Sequence, residues 1–309
     1  MLKNNNLLIS IIVSTYNGES YINNCLTSLV NQTLSKDKYE VIVVNNNSTD
    51  NTEEICKKHI AKYDNFKFFN ENEQGLSCAR NRGIKEANGE YIAFIDDDAK
   101  ADSKWCENIL IAFITISPKP VVVGGKILPY YNVKPPSWFS DELEIRSWGN
   151  NQKFLKEKDG FFSGSNMAFQ KSILNQYDGF KPEYGINGDK FGVGEETDLI
   201  RRISIKHPHL FYSPDLIVYH LVKEKNMKIS GRLKRAYSAG LYRHSLFDGN
   251  NIVFLLLNLS RLGYYILYLL FYLITFKYNY KFIHSLEMCI SKISSIIDFV
   301  LNKEKNQTK

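Results

Sequence analysis

The sequence predicts an open α/β sheet flanked by helices, followed by a helical C-terminal region. Up to about residue 125, short apolar runs alternate with stretches of helical pattern, which is typical of parallel strands joined by helical crossovers. Polar clusters follow three of the apolar runs, and from residue 223 the sequence becomes basic and then strongly apolar. We therefore expect a main domain over residues 1–222 and a helical region over residues 223–309.

The alternation places each element in turn. Strands are predicted at 7–15, 39–46, 66–71 and 89–97, and helices at 19–33, 49–63 and 77–88. Residues 126–222 are less regular, with Pro135, Pro136 and Trp138, but strand patterns return at 160–170 and 210–220. Ligands of open α/β sheets bind at the carboxyl ends of the strands. The clusters STYNG, NNNSTD and DDDA are therefore expected to meet at one edge.

The cysteines and the N-terminal sequence indicate the cellular compartment. The five cysteines form no CxxC pair, so neither a disulfide framework nor a zinc site is indicated, and a reducing cytosol is expected. The first apolar stretch is only about seven residues long, too short for the hydrophobic region of a signal peptide. We interpret it as the first strand.

The C-terminal region suggests contact with a membrane. Six basic residues lie close together before a hydrophobic segment at 251–276: Lys223, Lys225, Lys228, Arg232, Lys234 and Arg235. That segment is long enough to span a bilayer, although Asn258 and Arg261 interrupt it. We expect an anionic membrane surface as partner, either spanned or bordered by this segment. The alternative is a helical cap on the main domain or on a second subunit. No nucleic-acid motif accompanies the charge.

Three aspartates end the fourth predicted strand. In an extended strand, Asp96 and Asp98 face one side and Asp97 faces the other. Carboxylates this close repel each other, which favours a bound divalent cation such as Mg²⁺ or Mn²⁺, itself attached to a diphosphate. The alternative is a solvated turn after the strand.

Other polar residues admit both a functional and a structural interpretation. Backbone N–H groups after the first strand, at the start of a helix near Glu19, suit a nucleotide, but an ordinary capped turn has the same composition. Asp50 is either a ligand-binding residue or an N-cap, and Arg80 is a candidate phosphate contact. Glu195, Glu196 and Asp198 begin a predicted helix, where acids either cap the helix or act as a general base. His220 ends a strand and is a candidate metal ligand.

Seven blocks in this order resemble family 2 glycosyltransferases of the inverting GT-A type. They are IIVSTYNG, VIVVNNNSTDNT, GLSCARNRGI, GEYIAFIDDDA, GSNMAF, GEETDL and VYH, between about residues 7 and 222. The resemblance implies a GT-A domain that binds a nucleotide sugar. It implies donor contacts from Thr15, Tyr16, Asn46, Asp50, Arg80, Asp96 and Asp97, and metal ligation by Asp98 and His220. It also implies an acceptor wall at Gly164, Ser165, Asn166 and Glu195, and Glu196 as the base.

The sequence departs from the family pattern at two places. Asn45 and Asn46 stand where relatives commonly have Asp-Asp or Asp-Asn, which leaves the donor base open, although a UDP-sugar is expected. Glu195-Glu196 replaces Glu-Asp, which places the base carboxylate one methylene further out, with Asp198 and Glu195 as the next candidates. The Gln-x-x-Arg-Trp motif of processive synthases is absent, which favours one sugar added per encounter.

The function expected from this resemblance is transfer of a sugar to a glycan or lipid-linked glycan, at the cytoplasmic face of the membrane, in surface polysaccharide synthesis. The expected cofactor is Mn²⁺ or Mg²⁺. One alternative is a sugar nucleotidyltransferase, but STYNGES lacks the Gly-rich loop and the basic residues that such an enzyme places after its first strand. The other is a noncatalytic membrane-associated scaffold, which has no use for clustered acids.

Overall fold

The computed structural model describes residues 7–156, 159–188, 192, 194–241, 251–275 and 279–307. The chain forms two compact units. Unit 1 contains Met1–Tyr130, Ile145–Lys190 and Glu195–Leu221, and unit 2 contains Tyr131–Glu144, Phe191–Gly194 and Val222–Lys309.

Unit 1 is built on one mixed sheet. Its strands are β1 (Ile9–Thr15), β2 (Tyr39–Asn45), β3 (Phe66–Asn70), β4 (Tyr91–Asp96), β5 (Ala99–Ala101), β6 (Val122–Tyr130), β7 (Lys153–Leu155), β8 (Met167–Gln170) and β9 (Leu210–Leu221). The strand order is β3-β2-β1-β4-β8-β6-β9-β5, and β7 pairs with β9. The first four strands of this order are parallel, whereas β8 runs antiparallel to β4 and β6. The sheet is therefore open and mixed, as the sequence predicts.

Helices cover both faces of this sheet. They are α1 (Ile22–Val30), α2 (Thr52–Ile60), α3 (Leu76–Glu86), α4 (Trp105–Thr115), α5 (Lys171–Gln176) and α6 (Glu195–Ser204). Alternate residues of β1 enter two separate cores: Ile11 and Val13 pack with Trp105 of α4, whereas Ile12 packs with Ala79 of α3. Burial on both faces explains why β1 and β2 are almost continuously apolar.

The register of the sheet brings the polar strand ends together. Thr15 at the end of β1 pairs with Asn45 of β2, and Ser14 pairs with Asp96 of β4. On the far side, Ala99 of β5 pairs with His220 of β9. The carboxyl edge of the parallel strands therefore carries the residues that the sequence indicates.

Some predicted boundaries were wrong. The helix expected from Glu19 begins at Ile22, because residues 19–21 form a turn in which the Glu19 N–H donates to Asp50 and the Tyr21 N–H donates to the Gly18 carbonyl. The strand expected at 160–170 is limited to Met167–Gln170, because residues 164–165 form a turn. β4 ends at Asp96, so Asp97 and Asp98 lie in a turn. The sequence patterns also did not indicate α4, β5 or β7.

Unit 2 is helical. It contains α7 (Ile229–Leu241), α8 (Asn251–Ile274) and α9 (Tyr280–Gln307), and α9 packs against both of the others. Residues 131–144 also belong to this unit, because Glu144 binds Arg232 and Arg235 of α7 and Glu142 accepts a hydrogen bond from Tyr280 of α9. The limits of 1–222 and 223–309 expected from the sequence do not include that connection. Phe276, at the end of the predicted hydrophobic segment, lies outside the described residues.

Candidate active site

Asp96, Asp98 and His220 form one cluster, which we name the acid–imidazole group. The His220 Nε2 atom lies 3.2 Å from Oδ1 of Asp98 and 3.6 Å from Oδ2 of Asp96. One ligand atom from each residue lies within 4.8 Å of the other two. The two aspartates share a side as expected, but the cause is the turn at 97–98 and not the alternation of an extended strand. The backbone fixes this turn through Leu221, whose N–H donates to the Asp98 carbonyl at 2.9 Å.

The acid–imidazole group suits a hard divalent cation. Two carboxylates and an imidazole nitrogen are ligands that Mn²⁺ accepts, and the oxygens also suit Mg²⁺. Burial alone would lower the pKa of His220, but the neighbouring Asp98 and Asp96 raise it to about 9. The two negative charges therefore already stabilise a positive charge at this point, which a metal ion would supply more strongly. The residues present thus fit the metal that the fold implies.

Asp97 points to a different partner. Its Oδ2 accepts a hydrogen bond of 2.6 Å from the buried Thr15 hydroxyl, which links the ends of β1 and β4. A Cβ atom at Gly18 would lie 2.6 Å from that hydroxyl and 2.7 Å from Oδ2 of Asp97. Only glycine leaves room for this link, so Gly18 is a site residue that the sequence analysis missed. The third position of the YNG turn was its only signal.

The loops after β1 and β2 bind each other. The N–H groups of Asn17, Gly18 and Glu19 donate to Ser48 Oγ, Thr52 Oγ1 and Asp50 Oδ2 at 3.0, 2.8 and 3.1 Å. The expectation that these N–H groups are available to a nucleotide was therefore wrong, because the side chains of the second loop already accept from them. Tyr16, half-buried directly after β1, lies beside these groups in the chain.

The Asp50 carboxylate links the loop after β1 to the start of α2, one residue before the N-cap Asn51. Besides Glu19, it accepts from the N–H and the hydroxyl of Thr52 at the start of α2. Burial opposes ionisation, but these hydrogen bonds lower the pKa of Asp50 below its ordinary value. Asp50 is therefore not the N-cap of α2, which is Asn51, and its contact with a donor stays a prediction.

Asn46 holds the loop at 71–75. Its Nδ2 donates to the carbonyls of Glu71 and Glu73 at 2.9 and 2.7 Å, and its Oδ1 accepts from the N–H of Gly75 at 2.7 Å. Only an amide donates to two carbonyls and accepts an N–H with one side chain. Aspartate at this position would oppose both carbonyls, so the loop contacts favour an amide at position 46, as in the Asp-Asn form of the family pattern.

Arg80 is buried and bound to two acids. Its Nη1 donates to Glu195 Oε1 at 2.8 Å, and its Nη2 donates to Asp96 Oδ1 at 3.2 Å. We name Arg80 and Glu195 the Arg80 pair. The arginine is only 3% exposed, so it is not presented to solvent as a phosphate contact would be. The pair instead connects α3, β4 and the first turn of α6.

Glu196 differs from its neighbour in having an oxygen without a partner. Its Oε2 atom is buried and makes no hydrogen bond within the described part of the chain. Burial, followed by the nearby Glu195 charge, raises the pKa of Glu196 to about 8. A carboxylate that is costly to ionise is a stronger base, and such groups cluster at functional sites. Asp198, the next candidate, is bound to Arg202 at 2.8 Å.

The residues expected at the acceptor wall lie deeper than a binding surface. Ser165 and Asn166 are each 1% exposed. Asn166 Oδ1 accepts from the Trp105 indole at 2.9 Å, and its Nδ2 donates to the carbonyls of Lys126 and Leu216. These contacts support the irregularity between Gly125 and Lys126 where β6 pairs with β9. Gly164 packs directly on the Arg80 guanidinium, since a Cβ there would lie 2.3 Å from Nη2.

Comparison with known proteins gives a consistent family. The family model described as Glycosyl transferase family 2 matches residues 10–178, more than half of the chain. The chain is 30% identical over 164 residues to the dolichyl N-acetyl-alpha-D-glucosaminyl phosphate 3-beta-D-2,3-diacetamido-2,3-dideoxy-beta-D-glucuronosyltransferase of Methanococcus voltae, which covers 51% of this chain and 50% of that protein. The alignments with the first curated relatives that the chain matches cover between 12% and 63% of the length of each relative. The chain therefore matches less than two thirds of each of these proteins.

Two solved structures share the architecture. S. aureus TarS 1-349 in complex with UDP-GlcNAc has a TM-score of 0.58 at 20% identity, covering 75% of this chain and 66% of that one. The mannosyltransferase PcManGT from Pyrobaculum calidifontis, in complex with GDP-Man and Mn2+, has a TM-score of 0.58 at 22% identity, covering 78% of this chain and 65% of that one. These likenesses confirm the predicted GT-A fold.

Proposed function

This chain belongs to glycosyl transferase family 2, and on that premise we propose that it moves a sugar from a nucleoside-diphosphate sugar to a glycan or lipid-linked glycan, with inversion at the anomeric carbon. One observation carries the proposal. Arg80 binds both Asp96 of the acid–imidazole group and Glu195, the residue directly before Glu196, whose buried Oε2 atom has no hydrogen-bond partner among the described residues. A cation site beside an uncompensated base is the combination that displacement of a diphosphate requires.

Asp96, Asp98 and His220 would hold the divalent metal ion. When bound, such an ion supplies Lewis-acid stabilisation of the negative charge on the diphosphate leaving group. Mn²⁺ is the first ion to test, because PcManGT was solved with Mn2+. Asp97, fixed by Thr15, and the half-buried Tyr16 would contact the donor directly. Asn46 and Asp50 would shape the donor site by holding its loops in place.

Glu196 would take the proton from the acceptor hydroxyl. The hydroxyl oxygen attacks the anomeric carbon as the bond from that carbon to the diphosphate oxygen breaks, and the proton passes to the Glu196 carboxylate. The diphosphate leaves with the electron pair of the broken bond. Direct attack from the opposite face inverts the anomeric centre. Gly164, Ser165 and Asn166 would support the acceptor side through their packing.

The names of similar proteins guide the choice of substrates. TarS was solved with UDP-GlcNAc and PcManGT with GDP-Man, so UDP-sugars are tested first and GDP-sugars second. The M. voltae relative is named for a dolichyl phosphate substrate, which favours an acceptor carried on a lipid phosphate. A lipid-linked acceptor in turn favours action at the cytoplasmic face of a membrane, in assembly of a surface glycan.

Contact of α8 with lipid completes this proposal. The helix is 24 residues long with a mean hydropathy of 1.6 in its most apolar window, of which only 11% is buried. Leu256, Leu267 and Ile274 are 60%, 67% and 75% exposed. Part of the basic stretch is neutralised within unit 2, because Arg232 and Arg235 bind Glu144. We therefore assign most of the affinity for the membrane to the apolar face of α8, and less of it to attraction between basic residues and anionic lipid.

The transferase proposal is tested on the full chain in two steps. Thermal shift with UDP, GDP, TDP and CMP, with and without Mn²⁺, identifies the donor nucleotide, since a ligand of the native state raises its apparent stability. Transfer to a lipid-phosphate-linked acceptor is then followed by NMR of the anomeric proton. We expect Asp98→Asn to remove the metal-dependent shift. Glu196→Gln should keep that shift and lower transfer by ~10²-fold or more.

Asp102→Asn and Glu86→Gln are the matched controls, because they change the same residue types in unit 1 outside the site. Transfer at the wild-type rate by Glu196→Gln would refute its role as base. A retained anomeric configuration would refute inversion. No metal-dependent shift with any nucleotide, in folded protein, would favour the scaffold alternative.

The membrane proposal is tested by flotation with phosphatidylcholine vesicles, with and without added phosphatidylglycerol, because anionic lipid attracts basic segments. Leu267→Lys should reduce the floated fraction severalfold. Ile205→Lys is the matched control, because Ile205 is an exposed apolar residue of unit 1 at 77%. Equal flotation of both variants would exclude α8 as the lipid contact, and self-association instead of flotation would indicate a second copy.

A further inference from the structure

The Arg80 pair is buried and is not part of the surface of the candidate site. Both side chains are about as buried as core residues, with relative exposures of 4% and 6%. One arm of the guanidinium reaches Asp96 in the acid–imidazole group, and the other reaches Glu195, directly before Glu196. Arg80 is thus the one described side chain with a hydrogen bond to each of these two acids.

The position of Arg80 is fixed by its surroundings. Gly164 lies against the guanidinium, and the Phe180 ring lies 5.3 Å from its central carbon. The next residue, Asn81, binds both the carbonyl and the N–H of Phe180 at 2.7 and 2.9 Å. Arg80 therefore has no room to swing toward a phosphate, and the role expected from the sequence does not describe its contacts.

The pair leaves Glu196 uncompensated. Arg80 from α3 binds Glu195, so Glu195 has a bonded counterion, which it shares with Asp96, while Glu196 has no ion pair and its Oε2 atom has no hydrogen-bond partner among the described residues. The charged groups that act on Glu196 are Glu195 on its own helix and Arg80, with Asp96 of β4 on the other arm of Arg80. Glu195 disfavours the ionised form of Glu196, and Arg80 favours it.

We propose that Arg80 and Glu195 act as a positioning pair, which fixes the base Glu196 relative to the acid–imidazole group and sets its basicity by occupying the nearest positive charge. The proposal rests on the proposed function for the identity of Glu196 as base. It makes Glu195 a positioning residue in place of the acceptor contact expected from the sequence. It also predicts opposite effects from removing the two charges.

Two variants test these opposite effects. Glu195→Gln keeps an oxygen for Arg80 but removes the negative charge, which leaves Arg80 to favour ionised Glu196. The acid-side midpoint of the kcat/KM profile should move down by ~1 pH unit or more, and kcat should fall ~10-fold as the base weakens. Arg80→Gln should move the midpoint up, and the double variant should return it toward wild type. The donor KM should change little in Glu195→Gln.

Arg82→Gln is the matched control, because Arg82 lies on the same helix in a single ion pair with Glu86. Its midpoint should stay at the wild-type value. A fall in melting temperature and kcat without a moved midpoint in Glu195→Gln would overturn the proposal and leave the pair a purely structural ion pair. If Arg80→Gln does not fold, Glu195→Gln still decides the question.

A second readout needs no activity. The difference in unfolding free energy between the wild-type chain and Glu196→Gln changes with pH as Glu196 titrates, and this change has a midpoint. The same difference is then measured between two chains that both carry Glu195→Gln, one with and one without Glu196→Gln. A lower midpoint in the presence of Glu195→Gln supports the proposal even if no sugar donor is found. An unmoved midpoint overturns it, whether or not the enzyme transfers sugar.

Discussion

Arg80 in unit 1 and Arg232 in unit 2 are buried to the same degree but belong to networks of different kinds. Each is 3% exposed and binds two carboxylates. Around Arg232, burial would raise the pKa values of Glu144 and Glu287. Arg235 with Arg232 lowers the pKa of Glu144, and His284 with Arg232 lowers that of Glu287. Around Arg80, Glu196 keeps a buried oxygen without a partner, and its pKa is raised.

The difference separates a network whose acids are stabilised in their charged form from one that leaves a neighbouring acid hard to ionise, as the proposed function requires of a base. The acids bound to Arg232 are each stabilised in their charged form, and the result is that residues 131–144 are attached to α7 and α9. The Arg80 network leaves one acid, Glu196, unfavourable to ionise, which costs stability and, under the proposed function, provides the base. Burial of an arginine therefore does not distinguish the two roles, whereas the compensation of the surrounding acids does.

The largest stability loss is expected for Arg232→Gln. This change leaves Glu144 and Glu287 buried with less compensation, and breaking a buried ion network in this way costs about 3–5 kcal/mol. Urea denaturation at pH 7 measures the loss, with the exposed Lys234→Gln as control. The pH midpoint of transfer, per folded molecule, should not move. A loss below about 1 kcal/mol would show that the network is not the structural support that we describe.

A smaller effect of opposite sign is expected for Glu196→Gln. The folded protein binds a proton at Glu196 with a pKa of about 8, against 4.5 for an ordinary glutamate. Between these values the folded state keeps a proton that the unfolded chain has released, so the contribution of Glu196 to wild-type stability falls as pH rises. Glu196→Gln removes this cost, and its advantage should grow from pH 4.5 to 8 and then level off, at about 1–2 kcal/mol because the residue is half-buried and solvent screens its charge.

Denaturation of both proteins at several pH values between 4 and 9 checks this prediction. Glu86→Gln is the control, because Glu86 is already paired with Arg82. An advantage that shrinks as pH rises would mean that Glu196 is stabilised in its charged form, and the two networks would then not differ as described.

Local patterns predicted the fold well because the determining signals are local. β1, β2 and β4 are buried apolar runs followed by turn residues, and the helices between them have a clear apolar face. The three-residue strands β5 and β7 are too short to carry a pattern, and only their pairing with β9 defines them. Attachment of 131–144 to unit 2 depends on Glu144 meeting Arg232, 88 residues away, which no local pattern indicates.

The candidate site was predicted by residue type more accurately than by role. Asp96, Asp98 and His220 were singled out because their side chains suit a metal ion, and they form one cluster, whereas Glu196, singled out as a possible base, follows Glu195, which is joined to Asp96 through Arg80. The roles expected for Asn46, Asp50 and Arg80 depend on which partner each polar group finds, and the partners come from loops and helices distant in sequence. A sequence shows that a group can bind, but only the fold shows that its hydrogen bonds are already used.

The smallest effect is expected for Arg235→Gln, and it tests whether the unit 2 network is one unit or a set of pairs. The Arg235 side chain is 33% exposed and shares Glu144 with Arg232, so its loss alone should cost about 1 kcal/mol or less. In the Arg232→Gln background, Glu144 would depend on Arg235 alone, so the same change should cost more by at least about 0.5 kcal/mol. Urea denaturation of the wild type, both single variants and the double variant measures this coupling. Additive losses would mean that the two arginines compensate Glu144 independently. Unit 2 would then contain separate ion pairs and no cooperative network to set against the one around Arg80.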